Sequence, residues 1–191
     1  RPERTTSVAL VTDMIPEMLG FQADLPQWRE KRDCIHLARR CLAYTRHCVH
    51  DMRRLYIASS AGRTSVASPG VGEAFRLAGD EEVAAFRARH GLAKPYFLLS
   101  GPREPRERNG RALFRALARL PGRERYAVLC VGGEAEIAAE SLREAAGVEV
   151  KRLALDDDGL RLAYAGALEL VHVPLYEGFP LAVAEAMRCG C

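Results

Sequence analysis

The chain has 191 residues, 48% of them hydrophobic and 28% charged, with a formal net charge of +3. That composition excludes an intrinsically disordered chain, and the charge is too small to argue for nucleic acid as a partner. No apolar run reaches the roughly 18 residues that a transmembrane helix requires, and no signal-peptide pattern is visible.

In chain order, residues 8–11 read as a strand followed by Thr12-Asp13. Residues 26–39 read as a helix, 40–44 as a short strand, 46–55 as a helix and 64–67 as a further strand. Small and polar residues cluster at 72–79, which sets a domain boundary there: 1–75, then 76–191. A helix follows at 81–90. From Pro95 onward the pattern is regular, with strands expected at 96–100, 126–131, 148–153 and 168–173. Helices are expected at 109–120, 134–146, from Asp156 as N-cap to about Gly166, and 180–188.

Four strand-then-helix units with short connections predict an α/β fold, a Rossmann-like parallel sheet with flanking helices. The strands read as unbroken apolar runs, as when both sheet faces are covered. Ligands bind such sheets beyond the carboxyl ends of the strands, so the loops to inspect are 101–108, 132–133, 154–157 and 174–179. Residue 1 is Arg, and the last residues stop just after a helix, so the chain reads as a piece truncated at both ends.

Cys34, Cys41, Cys48, Cys130, Cys189 and Cys191 form no C-x-x-C pair and fit no common zinc spacing. His47, Cys48 and His50 lack a matching cysteine pair, so no metal is expected, and a reduced cytoplasmic setting is the simplest reading. Asp156-Asp157-Asp158 could suggest a metal, but acidic residues suit the first turn of a helix, and a cap is the reading adopted. Gly132-Gly133 would let a ligand approach the backbone, and a tight turn explains them equally well.

The C-terminal stretch is more informative. Glu177 is expected in the loop after a strand and Glu185 two helical turns later, a spacing that predicts both carboxylates on one side. Carboxylates accept hydrogen bonds from neighbouring hydroxyls, which suits a sugar or a ribose. Between them the amides near Phe179 and Leu181 open a helix, a natural site for phosphate. The simpler alternative is a pair of glutamates on solvated faces.

The run Val171-His172-Val173-Pro174-Leu175-Tyr176-Glu177-Gly178-Phe179-Pro180-Leu181-Ala182-Val183-Ala184-Glu185-Ala186-Met187 closely resembles the nucleotide-sugar signature of glycosyltransferase family four, the retaining GT-B enzymes. In it, Pro180 stands where glycine is usual and removes one amide from the phosphate cradle. Ala182 replaces the usual proline. A second stretch, Gly101-Pro102-Arg103-Glu104-Pro105-Arg106-Glu107-Arg108-Asn109, resembles the family's Gly-x-Arg-x-x-x-Lys-Asn loop with one extra residue. Val11-Thr12-Asp13-Met14-Ile15-Pro16-Glu17 and Trp28-Arg29-Glu30-Lys31 resemble a segment of polysaccharide-building, mannosyltransferase-like members.

The resemblance implies a GT-B fold, here an incomplete two-domain arrangement: the end of an acceptor domain, then most of a nucleotide-sugar donor domain. It implies that Glu177 contacts the transferred sugar and Glu185 the ribose hydroxyls, with Gly178, Phe179, Leu181 and Gly101 around the donor. Arg103 and Arg108 neutralise the diphosphate, Arg106 competing because the extra residue blurs the register. Two cations and a helix N-terminus can stabilise a leaving diphosphate without a metal. Leu155 and Asp157 are implied near the base, and Asp13 lines the cleft.

The implied donor is GDP-mannose or another nucleoside diphosphate sugar, with no further cofactor. The implied acceptor is a saccharide or lipid-linked oligosaccharide, met at the cytoplasmic membrane face. Another GT-B enzyme such as a sugar-nucleotide epimerase, and a non-catalytic nucleotide-binding module, are the alternatives.

Overall fold

The computed structural model describes residues 6–20, 25–56, 62–103, 108–145 and 147–191. They fall into two compact units: Arg1–Gly70 with Tyr176–Pro180, and Val71–Leu175 with Leu181–Cys191.

The first unit is built on three parallel strands in the order β1-β2-β3: β1 (Val8–Val11), β2 (Arg40–Ala43) and β3 (Thr64–Val66). Between them run α1 (Ile15–Leu19), α2 (Pro26–Leu37) and α3 (Arg46–Leu55). The core is Val11, Met14, Ile35, Cys41, Ala43, Cys48 and Met52, with Tyr176 packed against it. Thr45 caps α3, its hydroxyl accepting from the Cys48 amide at 3.1 Å. Helix α1 was not anticipated. It is a single turn with Pro16 in it, opened by Asp13, whose Oδ1 accepts from the Ile15 amide at 2.9 Å. So short a helix carries too little periodicity to be read from sequence.

The second unit carries four parallel strands in the order β6-β5-β4-β7. They are β4 (Tyr96–Ser100), β5 (Ala127–Val131), β6 (Glu149–Leu153) and β7 (Glu169–Leu170). The flanking helices are α4 (Asp80–Arg89), α5 (Arg111–Leu117), α6 (Ala139–Glu144), α7 (Asp157–Ala165) and α8 (Leu181–Arg188). Side chains alternate between two cores: Tyr96, Leu98, Leu129 and Val131 on one face, Leu99, Val128 and Cys130 on the other. Covering both faces is why β4 and β5 read as continuous apolar runs. Phe75 also packs in the second unit, in the core with Tyr96 and Tyr164.

The structure corrects four local expectations. Strand β6 is an edge strand, and its Lys151 and Arg152 break the apolar pattern. The helix expected over 134–146 begins only at Ala139, because the Glu134 carbonyl and carboxylate are engaged by Arg103. The strand expected over 168–173 is reduced to Glu169–Leu170. Val171 still donates to the Leu98 carbonyl, but the Val173 carbonyl accepts from the Asn109 side chain at 3.0 Å instead of joining the ladder. Helix α8 starts at Leu181, one residue later than expected, and Glu177 lies in the loop before it. Among the described residues no helix is long and apolar enough to cross a membrane.

Candidate functional site

In the order β6-β5-β4-β7 the chain direction of the winding reverses between β4 and β7, the position where open parallel sheets hold their ligands. The loop after β4 begins with Gly101 at φ +90° and faces Gly132 and Gly133, both at positive φ. A side chain on Gly133 would come within 2.6 Å of the Gly101 carbonyl oxygen and 2.8 Å of Pro102 Cα. Close packing of the two loops therefore requires glycine there.

Arg103 lies between the same loops and is 3% exposed. Its Nη1 donates to the Gly132 carbonyl at 2.7 Å and its Nη2 to the Glu134 carbonyl at 2.6 Å. The Glu134 carboxylate accepts from the Arg103 amide at 3.0 Å and lies 3.3 Å from Nη2. The guanidinium expected at the diphosphate is thus a clamp between the loops after β4 and β5. Gly110 packs on it: a side chain there would meet the Arg103 carbonyl oxygen at 3.1 Å. Arg106 lies outside the described residues. Arg108 is half-buried, and its charge adds to burial in holding the His172 imidazole below its ordinary pKa. Asn109, at φ +53°, ties this loop to the segment after β7 through Val173.

Glu185, on α8, is half-buried and meets Tyr164 of α7: the Tyr164 hydroxyl lies 3.1 Å from Glu185 Oε2 and 3.3 Å from Ser100 Oγ. Ser100 is the last residue of β4, so this contact sits at the carboxyl end of the sheet. Burial raises the Glu185 pKa, the Tyr164 hydroxyl opposes the rise, and the Asp157 charge adds to it. Asp157 is exposed on the first turn of α7, whose cap is Asp156, its Oδ1 accepting from the Gly159 amide at 2.9 Å. Leu155, just ahead, packs against the core. The triple aspartate is thereby accounted for as a cap with acidic first-turn neighbours.

Glu177, Gly178 and Phe179 belong to the first unit, as does Asp13. Gly178 is buried against the carboxyl end of β1, where a Cβ would run into the Thr12 carbonyl oxygen and lie 2.9 Å from Asp13 Cβ. The carbonyl of Asp13 accepts from Lys31 Nζ at 2.8 Å. The second unit holds Gly101, Arg103, Arg108, Leu155, Asp157, Leu181 and Glu185. Leu181 is the exposed first residue of α8.

Cys48 is buried with its thiol toward the Val11 carbonyl, and burial pushes its pKa up to about 11. His47 lies instead 3.2 Å from Asp51. Among the described residues no group of three or more His, Cys, Asp or Glu is placed to hold a metal ion.

Sequence reasoning missed Tyr164 and Asp51. Each had a signal: a tyrosine on the apolar face of a predicted helix must find a partner for its hydroxyl, and an acid beside Cys48, Val49 and Met52 must find one for its charge.

No protein-family model matches the chain, and no curated protein matches its sequence. Solved structures do resemble it. The glycosyltransferase WaaG, involved in lipopolysaccharide biosynthesis, superposes with TM-score 0.76 at 17% identity, covering 96% of this chain and 54% of WaaG. HepE from Anabaena, solved with UDP-glucose, gives TM-score 0.77 at 19% identity, covering 98% of this chain and 52% of HepE. Sucrose-phosphate synthase from Thermosynechococcus elongatus gives 0.69 at 23%, covering 95% and 48%. The chain spans about half the length of these proteins. At such identities the likeness establishes the fold: an α/β arrangement of parallel sheets and flanking helices of the GT-B type.

Proposed function

We propose that the protein is a glycosyltransferase that moves a hexose from a nucleoside diphosphate sugar to a saccharide or lipid-linked acceptor. The observation that carries this reading is Glu185, a half-buried carboxylate held by the Tyr164 hydroxyl at the carboxyl end of β4, beside the switch point of a parallel sheet. It falls within a sequence run that resembles a nucleotide-sugar signature. In this reading Glu185 accepts from the ribose hydroxyls, Leu155 and Asp157 lie near the base, and Glu177 with Gly178 and Phe179 meets the transferred sugar. Arg108, the Leu181 amide and the Gly101 loop meet the diphosphate, and Arg103 shapes that loop. Cations and a helix N-terminus favour departure of the diphosphate without requiring a metal. Asp13 is assigned to the acceptor side.

Two donors are in play. The motif resemblance favours GDP-mannose, and the HepE complex supports UDP-glucose as the second. Retention at the anomeric carbon, polysaccharide assembly and work at the cytoplasmic membrane face follow from the resemblance alone.

Calorimetric titration of the full-length protein with UDP and GDP tests the site and the base together. One nucleotide should bind, and Glu185→Gln should weaken it. Donor turnover should fall about 100-fold or more in Glu177→Ala. Turnover unchanged in that variant would overturn the transferase reading. Conversion of the donor sugar with no acceptor would point to an epimerase, and binding without turnover to a nucleotide-binding module.

A further inference from the structure

The Tyr164 ring is fully buried in the core on one face of the second sheet, and its hydroxyl reaches Glu185 Oε2 and Ser100 Oγ. An ionised carboxylate only accepts hydrogen bonds, so Tyr164 is the donor to Glu185. A phenol has one hydrogen to give, so Ser100 in turn donates to Tyr164. A directed chain results, from Ser100 at the end of β4 through Tyr164 on α7 to Glu185 on α8. Phenylalanine would fill the same volume, so packing does not explain the hydroxyl.

We infer that Tyr164 is a positioning residue for nucleotide binding: its hydroxyl, itself oriented by Ser100, fixes the Glu185 carboxylate so that its remaining acceptor positions meet the vicinal hydroxyls of a nucleoside diphosphate's ribose. This rests on the reading of Glu185 as the ribose ligand. With Oε2 held by Tyr164, Oε1 and the second lone pair of Oε2 remain to accept from the two hydroxyls.

The surroundings make the hydroxyl consequential. Burial disfavours the Glu185 anion, and the Asp157 carboxylate adds like-charge repulsion. Cys189, just past the end of α8, is held neutral by burial. Burial likewise pushes Tyr164 ionisation upward, so the phenol stays a donor. Of burial, the Asp157 charge and the Tyr164 hydroxyl, the hydroxyl favours the charged form of Glu185 and the other two oppose it. Removing that donor makes Glu185 take up a proton at higher pH, and a protonated carboxyl accepts less strongly.

The test is titration of UDP and GDP into the full-length wild-type protein and the variants Tyr164→Phe, Ser100→Ala and Glu185→Gln across the acid-to-neutral range. Tyr164→Phe is expected to bind about 10-fold more weakly and to move the acid limb of the affinity profile to higher pH. Ser100→Ala should move it the same way by less, and Glu185→Gln should weaken binding and abolish the limb. The limb's position is independent of the fraction of folded protein, and Ser100→Ala carries the test if Tyr164→Phe does not fold. If both variants keep the wild-type profile while Glu185→Gln weakens binding, the role of Tyr164 is refuted and the ribose reading stands. If Glu185→Gln binds like wild type, the ribose reading fails and the inference with it.

Discussion

The Tyr176 hydroxyl donates to Asp51 Oδ2 at 2.6 Å, joining residues 125 positions apart in sequence within the first unit. Asp51 is 2% exposed, and His47 Nε2 also lies 3.2 Å from the same oxygen. Burial, followed by the Asp51 carboxylate, pushes the Tyr176 pKa upward, so the phenol stays protonated and remains a donor. A short hydrogen bond to a buried anion is among the stronger ones a protein makes.

Tyr176→Phe should therefore destabilise the protein by roughly 1–3 kcal/mol, the cost of leaving a buried charged acceptor short of a donor. Urea unfolding measures it. In a double-mutant cycle with Asp51→Asn the two effects should be non-additive, and simple additivity would refute a direct coupling.

Gly178 touches the same unit from the next turn of chain. An added methyl would strike the Thr12 carbonyl oxygen and crowd Asp13 Cβ. Backbone atoms cannot swing aside as a side-chain tip can, so Gly178→Ala should cost about 1–3 kcal/mol. A denaturation midpoint equal to wild type would show that the segment shifts freely, contrary to its close packing on β1.

Arg103→Met keeps the length and apolar stem but removes the donors to the Gly132 and Glu134 carbonyls. Both acceptors and the Glu134 carboxylate lose that partner, and the expected loss is roughly 1.5–3 kcal/mol. Arg103→Lys should recover only part of it, since an ammonium lacks the guanidinium fork. Thermal unfolding of the two variants in parallel makes the comparison; full recovery by lysine would mean that charge alone, and not the fork, holds the loops.

Acid stability should depend on Glu82. Its carboxylate accepts from Arg161 Nη2 at 2.8 Å and from the Gly79 amide at 2.9 Å. The Arg161 hydrogen bond, then the Gly79 amide, lower its pKa from 4.5 to about 2. A carboxyl depressed in the folded state stabilises it above the unfolded pKa and loses that effect as pH falls through the folded one. Glu82→Gln should accordingly lower Tm near neutral pH, and the gap to wild type should close between about 4.5 and about 2. A gap that stays constant over that window would exclude this linkage.

Much of the architecture was legible locally. Val8–Val11 and Arg46–Leu55 occupy the spans that their apolar spacing predicts, and Tyr96–Ser100 shows its burial on both faces as a continuous apolar run. Asp156 announces its helix, because a cap is a bond between an aspartate and an amide three residues on. The resemblance of the glutamate-bearing C-terminal run to a signature is likewise local, because its residues are neighbours in sequence.

Only the tertiary structure decided what depends on distant partners. The expected helix at 134–146 lost its first turn to Arg103, and β7 shrank to two residues as Asn109 took the Val173 carbonyl. Tyr176–Pro180 sits in the first unit although the chain on either side belongs to the second. Tyr164 meets Glu185, and Tyr176 meets Asp51, across 21 and 125 residues. Periodicity and capping are set by interactions within a few residues along the chain, so the sequence alone determines them. Which buried polar group finds which partner is set by how the elements pack, and no local pattern encodes it.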